Sequence, residues 1–198
     1  AFWTPAHPGV DQNGYLVGGR MMAKHGSPRI DGFNEVTGRP DPFKFIGIMW
    51  VGADYATDYE RYYPKYPIGL PALYAGAMKI GGERFGPTLA YWISPLCMTA
   101  AVWATFLMVR MWCGSCMGIL AMAALATSPT TLMLTNNPNS HASTLFFVTW
   151  GMYLAMSWWQ RGGLWRAALA GLLVGYAATI RYTEATLLLP LLLIDVFA

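Results

Sequence analysis

Four apolar stretches that carry almost no charge constrain the fold of this chain more than any other feature. Pro87 to Val109, Ser115 to Leu134 and Ala142 to Trp159 each hold roughly the 20 residues that an α-helix needs to cross a bilayer core. Leu164 to Ile180 is shorter but still long enough, and a fifth stretch begins near Ala185. The only charged residues from position 87 onward are Arg110, Arg161, Arg166, Arg181, Glu184 and Asp195. This pattern predicts membrane-spanning helices.

The composition separates a polar N-terminal region from an apolar C-terminal one. Hydrophobic residues make up 55% of the chain and charged residues 12%, whereas a soluble domain carries about 25% charged residues. We predict an all-α fold, a polytopic transmembrane helix bundle over residues 87–198. A long, irregular and partly helical extracytoplasmic loop with interfacial helices, and with no strand-like segment, precedes it over residues 1–86. The net charge of +3 comes with no basic run, so nucleic acid is not an expected partner.

The turns between the apolar stretches predict the orientation of the helices. Arg110 lies between the first and second stretches, and Arg161 and Arg166 lie between the third and fourth, with no acidic residue in either turn. By the positive-inside rule both turns face the cytoplasm. The N-terminal region and the other two turns then lie together outside. Ile68 to Ile80, at about 13 residues, is too short to cross, and we expect it to lie as a helix at the outer membrane surface.

Prolines and glycines within the stretches predict how the helices bend and pack. Pro95 and Pro129 lie inside the first two stretches, where neighbouring helices can satisfy the carbonyl groups that a kink frees. Gly171 and Gly175 have the GxxxG spacing of close helix contacts, so we expect them on a packing face.

The ends of the chain indicate a part of a longer protein. No initiator methionine or signal peptide stands at the start, and Ala198 lies within an apolar stretch. We expect that the longer protein has a membrane helix before residue 1 and further helices after residue 198. We expect residues 1–198 alone to be inactive.

The cysteines and histidines do not predict a metal centre. Cys113 and Cys116 have a metal-like spacing, but no second pair and no nearby histidine accompanies them, and small residues at the start of a membrane helix also account for the segment. His7, His25 and His141 are too scattered to form a triad. We expect no metal and no other cofactor.

Asp11 and Lys65 are the two ionisable residues of the N-terminal region that best fit a functional site. Lys65 lies in the segment Tyr62 to Pro71, which its prolines favour as a loop rather than a helix. Its ammonium group is either placed for an anion at the lipid surface or reaches the interface as an ordinary snorkelling lysine. Asp11 is either the cap of a helix from Tyr15 to Ala23 or a catalytic carboxylate.

The two outer turns carry further polar residues. Asn137, before Pro138, is suited to cap the third apolar helix, and the same helix start would favour an anion. Arg181 and Glu184 are three residues apart and either pair with each other or join a site. Ionisable groups at a membrane boundary are costly unless they meet water, a partner or a substrate. Their predicted convergence with the N-terminal acid and the loop lysine therefore indicates a site.

The acid and the lysine loop together resemble the GT-C membrane glycosyltransferases. Asp11 is followed by Tyr15, and the long loop after them ends in a Tyr-Pro-Lys-Tyr-Pro-x-Gly-x-Pro segment. The run from Gly171 to Tyr182 fits the same pattern. The resemblance is to bacterial relatives of the protein O-mannosyltransferases and to the aminoarabinose transferases that act on lipid A. It extends over essentially the whole chain, as the N-terminal part of such an enzyme.

The resemblance implies an inverting glycosyltransferase of a bacterial inner membrane. Such an enzyme moves a sugar from a polyprenyl-phosphate donor to a lipid, glycan or protein acceptor on the extracytoplasmic side, among membrane lipids. Asp11 would act as general base on the acceptor, and Lys65 would contact the donor phosphate. We add Arg181 as a second phosphate contact because of its predicted side and its charge. The residues expected to line the site are Tyr15, Tyr63, Tyr66, Asn137, Asn139, His141 and Glu184.

Two departures and two rival functions accompany this interpretation. Gln12 and Asn13 stand where many relatives carry a second acid, and the turn at residues 136–141 lacks an acidic pair for a metal. A transporter or flippase for a lipid-linked or anionic substrate would need ionisable groups near the membrane midplane, where only Asp195 is a candidate. A non-catalytic membrane scaffold would leave the acid and the lysine loop unexplained.

Overall fold

Helices dominate the computed structural model of the chain, which describes residues 10–28, 48–50, 62–64 and 66–187. The helices are α1 (Val10–His25), α2 (Gly69–Thr127), α3 (Pro129–Thr135), α4 (Ser140–Arg161), α5 (Leu164–Ile180) and a 3₁₀ helix at Tyr182–Leu187. Two short strands, β1 (Ile48–Trp50) and β2 (Tyr62–Pro64), pair antiparallel with Met49 opposite Tyr63. The described part is therefore all-α apart from this ladder. The ladder corrects the expectation of an N-terminal region without strands.

The 59 residues of α2 do not form one straight rod. A straight helix of that length would extend roughly 90 Å, about three times the thickness of the hydrocarbon core of a bilayer. Gly82 and Gly114 have φ angles of 63° and 83°, in the left-handed region that commonly ends helices and that glycine tolerates. These two residues divide α2 into three limbs, residues 69–81, 83–113 and 115–127.

Close contacts across both glycines establish that the chain turns back on itself. A Cβ atom on Gly86 would lie 2.6 Å from the carbonyl oxygen of Met78, and one on Gly118 would lie 3.0 Å from that of Phe106. In a straight helix these residues would be roughly 12 and 18 Å apart. Successive limbs therefore pack directly on each other beside each turn. At Gly86 and Gly118 the contact leaves room for little more than a hydrogen atom as the side chain.

The limbs and helices follow the predicted apolar stretches. Three of the four stretches lie each in their own limb or helix, and the fourth has the same bounds as α5. The second stretch is interrupted at Ser128, after which Pro129 begins α3. Among the described residues, α2 is the one helix that is long and apolar enough to cross a membrane, and α5 is a shorter apolar helix. That each stretch crosses separately stays a prediction.

Two compact units, Ala1–Tyr91 and Trp92–Ala198, make up the chain. In the first unit α1 contacts β2 and also packs on the limb 69–81. A Cβ atom on Gly19 would lie 2.6 Å from the Cβ atom of Tyr74, so the two helices approach to backbone distance. Tyr74 is fully buried in this contact.

In the second unit α4 and α5 pack antiparallel over much of their length. A Cβ atom on Gly151 would lie 2.7 Å from Cγ2 of Val174 and 3.3 Å from the carbonyl oxygen of Ala170. Further along the pair, the rings of Phe147 and Tyr176 have centroids 4.6 Å apart. Small residues on both sides thus allow the close approach, as is common between membrane helices.

Gly171 and Gly175 do not form a packing face within the described part of the chain. No described atom lies within 4 Å of a Cβ atom added to either glycine. The side of α5 that meets α4 carries Ala170 and Val174 instead, and both are buried. The glycine that permits the contact is Gly151, on the opposite helix.

Two glycine-to-alanine substitutions test this packing. Gly151→Ala should lower the stability of the protein by about 1–3 kcal/mol, because the new methyl group overpacks the contact with Val174. Gly171→Ala adds the same group to open space and should leave stability unchanged or raise it slightly. Thermal unfolding of the intact protein in detergent measures the difference. Equal Tm values for the two variants would contradict the packing.

Candidate active site

Asp11 lies in the first turn of α1, one residue inside the helix. Because α1 already begins at Val10, Asp11 is not the cap of a helix that runs from Tyr15 to Ala23, and that interpretation is wrong. A carboxylate in a first turn interacts favourably with the helix dipole. The residue is exposed, so a substrate hydroxyl can reach its carboxylate.

Tyr66 brings the loop before α2 to this carboxylate. Its hydroxyl donates a hydrogen bond to Oδ1 of Asp11, across 55 positions of sequence. Its ring lies against that of Tyr15, with centroids 4.8 Å apart and planes tilted by 39°. Tyr15 follows Asp11 by about one helical turn and is only 5% exposed. We call Asp11, Tyr15 and Tyr66 the acid cluster.

The surroundings raise the pKa of the Tyr66 hydroxyl well above its ordinary value. Burial is the main cause, and the hydrogen bond to Asp11 and the charge of that carboxylate act in the same direction. Tyr66 therefore keeps its proton at physiological pH. It can hold the carboxylate as a donor, but it cannot serve as the base.

Two predicted site residues close to Tyr66 in sequence are not fully described by the structure. Lys65 lies outside the described residues and directly precedes Tyr66 in the chain. Tyr63 is the middle residue of β2, but its side chain lies outside the described part. The predicted roles of both residues stay predictions.

A second cluster joins the start of α4 to the end of α5. Nη1 of Arg181 lies 2.7 Å from Nδ1 of His141, and Nε of Arg181 lies 3.8 Å from Oε1 of Glu184. A guanidinium group can only donate, so Nδ1 of His141 accepts and its ring proton resides on Nε2. The side chains of Arg181 and Glu184 are 36% and 23% exposed, which leaves them open to a ligand. We call these three residues the His141 cluster.

Asn139, and not Asn137, caps α4. Oδ1 of Asn139 accepts a hydrogen bond of 3.0 Å from the backbone N–H of His141. The side chain of Asn137 donates to the carbonyl oxygen of Met133, at the end of α3. The expected cap is wrong because α4 begins at Ser140, after Pro138 rather than with it. Whether either asparagine also lines a site stays a prediction.

The opposite end of α4 and α5 carries the arginines of the turn that is predicted to face the cytoplasm. Because the two helices are antiparallel, Arg161 and Arg166 lie at the end away from the His141 cluster. Nη1 of Arg166 donates to the carbonyl oxygen of Gly162 at 2.6 Å, and its guanidinium lies 4.7 Å from the centre of the Trp165 ring. Arg166 thus stabilises the turn between α4 and α5.

The metal-like spacing of the two nearby cysteines has a conformational explanation. Cys113 and Cys116 are free and exposed, and they flank the left-handed turn at Gly114. Within the ranges that the structure describes, no three His, Cys, Asp or Glu side chains are grouped as a metal site requires. That the reaction needs no metal stays a prediction.

Sequence reasoning identified the members of both clusters but not their contacts. It treated Tyr66 as a lining residue and did not pair His141 with Arg181. These contacts join residues 55 and 40 positions apart, so no local spacing encodes them. The tyrosines beside Lys65 indicate that this loop is functionally important. They do not indicate that Tyr66 bonds Asp11.

Comparison with known proteins gives one match. Residues 65–198, more than half of the chain, match the model of the family described as dolichyl-phosphate-mannose-protein mannosyltransferase. The match confirms the resemblance to GT-C glycosyltransferases. It begins at Lys65 and includes the His141 cluster, whereas Asp11 and Tyr15 precede it. No curated protein and no solved structure matches the chain.

Proposed function

The chain belongs to the dolichyl-phosphate-mannose-protein mannosyltransferase family, and on that premise we propose that it transfers a sugar from a polyprenyl-phosphate carrier to an acceptor outside the membrane. Family membership makes the protein a membrane-embedded glycosyltransferase. The lipid-phosphate donor, the inverting course and the extracytoplasmic side are our proposal. The acceptor is a lipid, a glycan or a protein.

The observation that carries the proposal is the hydrogen bond between Tyr66 and Asp11. It ties the exposed acid of α1 to the residue next to Lys65. A general base and a phosphate-binding cation are the two groups that this reaction needs close together. A scaffold has no use for such a contact, and a transporter would need its polar groups at the membrane midplane.

The proposed reaction is an inverting substitution at the anomeric carbon of the sugar. Asp11 takes the proton of the acceptor hydroxyl as the acceptor oxygen bonds to that carbon. The bond between the carbon and the phosphate oxygen breaks, and its electron pair leaves with the lipid phosphate. Lys65 stabilises the negative charge that grows on the phosphate.

The His141 cluster supplies a second set of anion-binding groups. Arg181 presents a planar guanidinium that is suited to phosphate oxygens, and the Nε2–H of His141 is a further donor. Glu184, 3.8 Å from Arg181, restrains the guanidinium. We propose that Arg181 contacts the donor phosphate and that His141 and Glu184 orient it.

The distribution of arginines supports the proposed side. Arg110, Arg161 and Arg166 belong to the two turns that the positive-inside rule assigns to the cytoplasm. The His141 cluster lies at the other end of α4 and α5. It therefore faces outward in this orientation, as a site for an outward-facing lipid phosphate requires.

Asp11→Asn tests the base and, with the unaltered protein, the function. The unaltered protein should transfer a labelled sugar from polyprenyl phosphate to an acceptor, whereas Asp11→Asn should transfer at least about 100-fold more slowly because it cannot take the proton. Donor affinity should be unchanged, since an amide keeps the size of the side chain. Glu83→Gln, at another exposed acid, serves as the matched control and should retain full activity. Normal turnover in Asp11→Asn would remove this residue from the mechanism.

Lys65→Ala tests the phosphate contact separately. Loss of a charge-assisted hydrogen bond to phosphate should weaken donor binding by about 10- to 100-fold. Lys79→Ala removes an exposed lysine from the limb 69–81 and should leave donor affinity as it is. Binding of polyprenyl phosphate to the intact protein measures both variants. Equal donor affinities of Lys65→Ala and the unaltered protein would rule out the proposed role of Lys65.

A further inference from the structure

We propose that Tyr66 is a positioning residue for the base, whose hydroxyl holds one oxygen of the Asp11 carboxylate so that the other oxygen faces the acceptor. This inference rests on the proposed function, because it gives Asp11 the role of general base. It assigns to Tyr66 a task in the reaction that goes beyond lining the site.

An exposed aspartate needs such support to act efficiently. Asp11 lies in the first turn of a surface helix, where its side chain can rotate among several rotamers. Misplacement of a reacting group by about 1 Å can cost 100-fold in rate. The hydrogen bond from Tyr66 to Oδ1 selects one orientation of the carboxylate. The donor, Tyr66, lies outside α1. It therefore stays in place when the side chain of Asp11 rotates.

Tyr66 is itself well restrained. Its ring lies 4.8 Å from the ring of Tyr15, which is 5% exposed and fixed in α1. Its backbone precedes Pro67, and a residue before proline is confined to extended conformations. The N-terminus of α2 follows at Gly69. The hydroxyl is therefore held from both its ring and its backbone.

The proton balance assigns separate tasks to the two carboxylate oxygens. Oδ1 accepts the phenolic hydrogen bond, and the phenol keeps its proton because burial and the adjacent carboxylate oppose its ionisation. The acceptor proton therefore goes to Oδ2. The acceptor oxygen forms its bond to the anomeric carbon, and the electron pair of the broken bond leaves with the lipid phosphate.

The position of Tyr66 also links the two halves of the site. Lys65 and Tyr66 are adjacent in the chain, so one dipeptide carries both the proposed phosphate contact and the contact to the base. A donor phosphate held by Lys65 restrains the residue that orients Asp11. Because the hydroxyl of Tyr66 bonds Asp11 and not the phosphate, its removal should affect turnover more than donor affinity.

Tyr66→Phe in the intact protein is the direct test. The substitution removes the hydroxyl and keeps the ring on Tyr15, so kcat for sugar transfer should fall about 10- to 100-fold while KM for the polyprenyl-phosphate donor stays within about twofold. Incorporation of 3-fluorotyrosine at position 66 restores a donor of the same shape and should restore kcat. Tyr153→Phe removes a hydroxyl from a tyrosine that packs on Trp150 and should change neither constant.

The possible outcomes separate this inference from the proposed function. An unaltered protein without sugar transfer would overturn both. An active unaltered protein with a kcat within twofold of that of Tyr66→Phe would overturn only the role of Tyr66. If Tyr66→Phe is too unstable to assay, 4-fluorophenylalanine at position 66 decides, because it fills the place of the hydroxyl without donating a hydrogen bond. A loss of kcat there would support the donor role, and a full kcat would contradict it.

Discussion

The limited thickness of the hydrocarbon core is the constraint on which the proposed membrane arrangement of this chain depends. In that arrangement an apolar helix uses only about 20 residues per crossing, which agrees with the turns within the 59 residues of α2. Gly82 and Gly114 make those turns in the left-handed conformation, and the limbs beside them pack to backbone distance. Charged residues are costly inside the apolar layer, and they therefore gather at the ends of the helices. We therefore place the proposed chemistry at those ends.

The polar helix ends differ in what their side chains do. At one end of α4 and α5, Arg166 closes a glycine turn and stacks on Trp165. At the other end, Arg181 makes a side-chain contact with His141 and stays partly exposed. In the N-terminal unit, Tyr66 holds an exposed carboxylate. The proposed enzyme uses the second and third arrangements for its donor phosphate and its base.

The sequence allowed the helices to be predicted well, because apolar length and turn residues are local properties. The limits of α5 followed from them, whereas the kink expected at Pro129 is an interruption at Ser128. Several features were predicted wrongly or missed, among them the cap at Asn139, the close contact at Gly151 and the partner of Asp11. The contacts of Gly151 and Asp11 depend on which residue lies opposite in space, whereas the cap is a local bond between Asn139 and His141 that follows from the start of α4 at Ser140. GxxxG spacing marks a surface that permits close approach, but Val174 and Ala170 decided which side of α5 meets α4.

The central claim is that the proposed sugar transfer takes place outside the membrane, on the side that the His141 end of α4 and α5 faces. Single cysteines at the exposed positions Thr183 and Gln160, in the intact protein without its native cysteines, test this orientation with a membrane-impermeant maleimide. The account predicts labelling at position 183 in intact cells and at position 160 only after permeabilisation. Labelling at position 160 in intact cells, with position 183 protected, would contradict it.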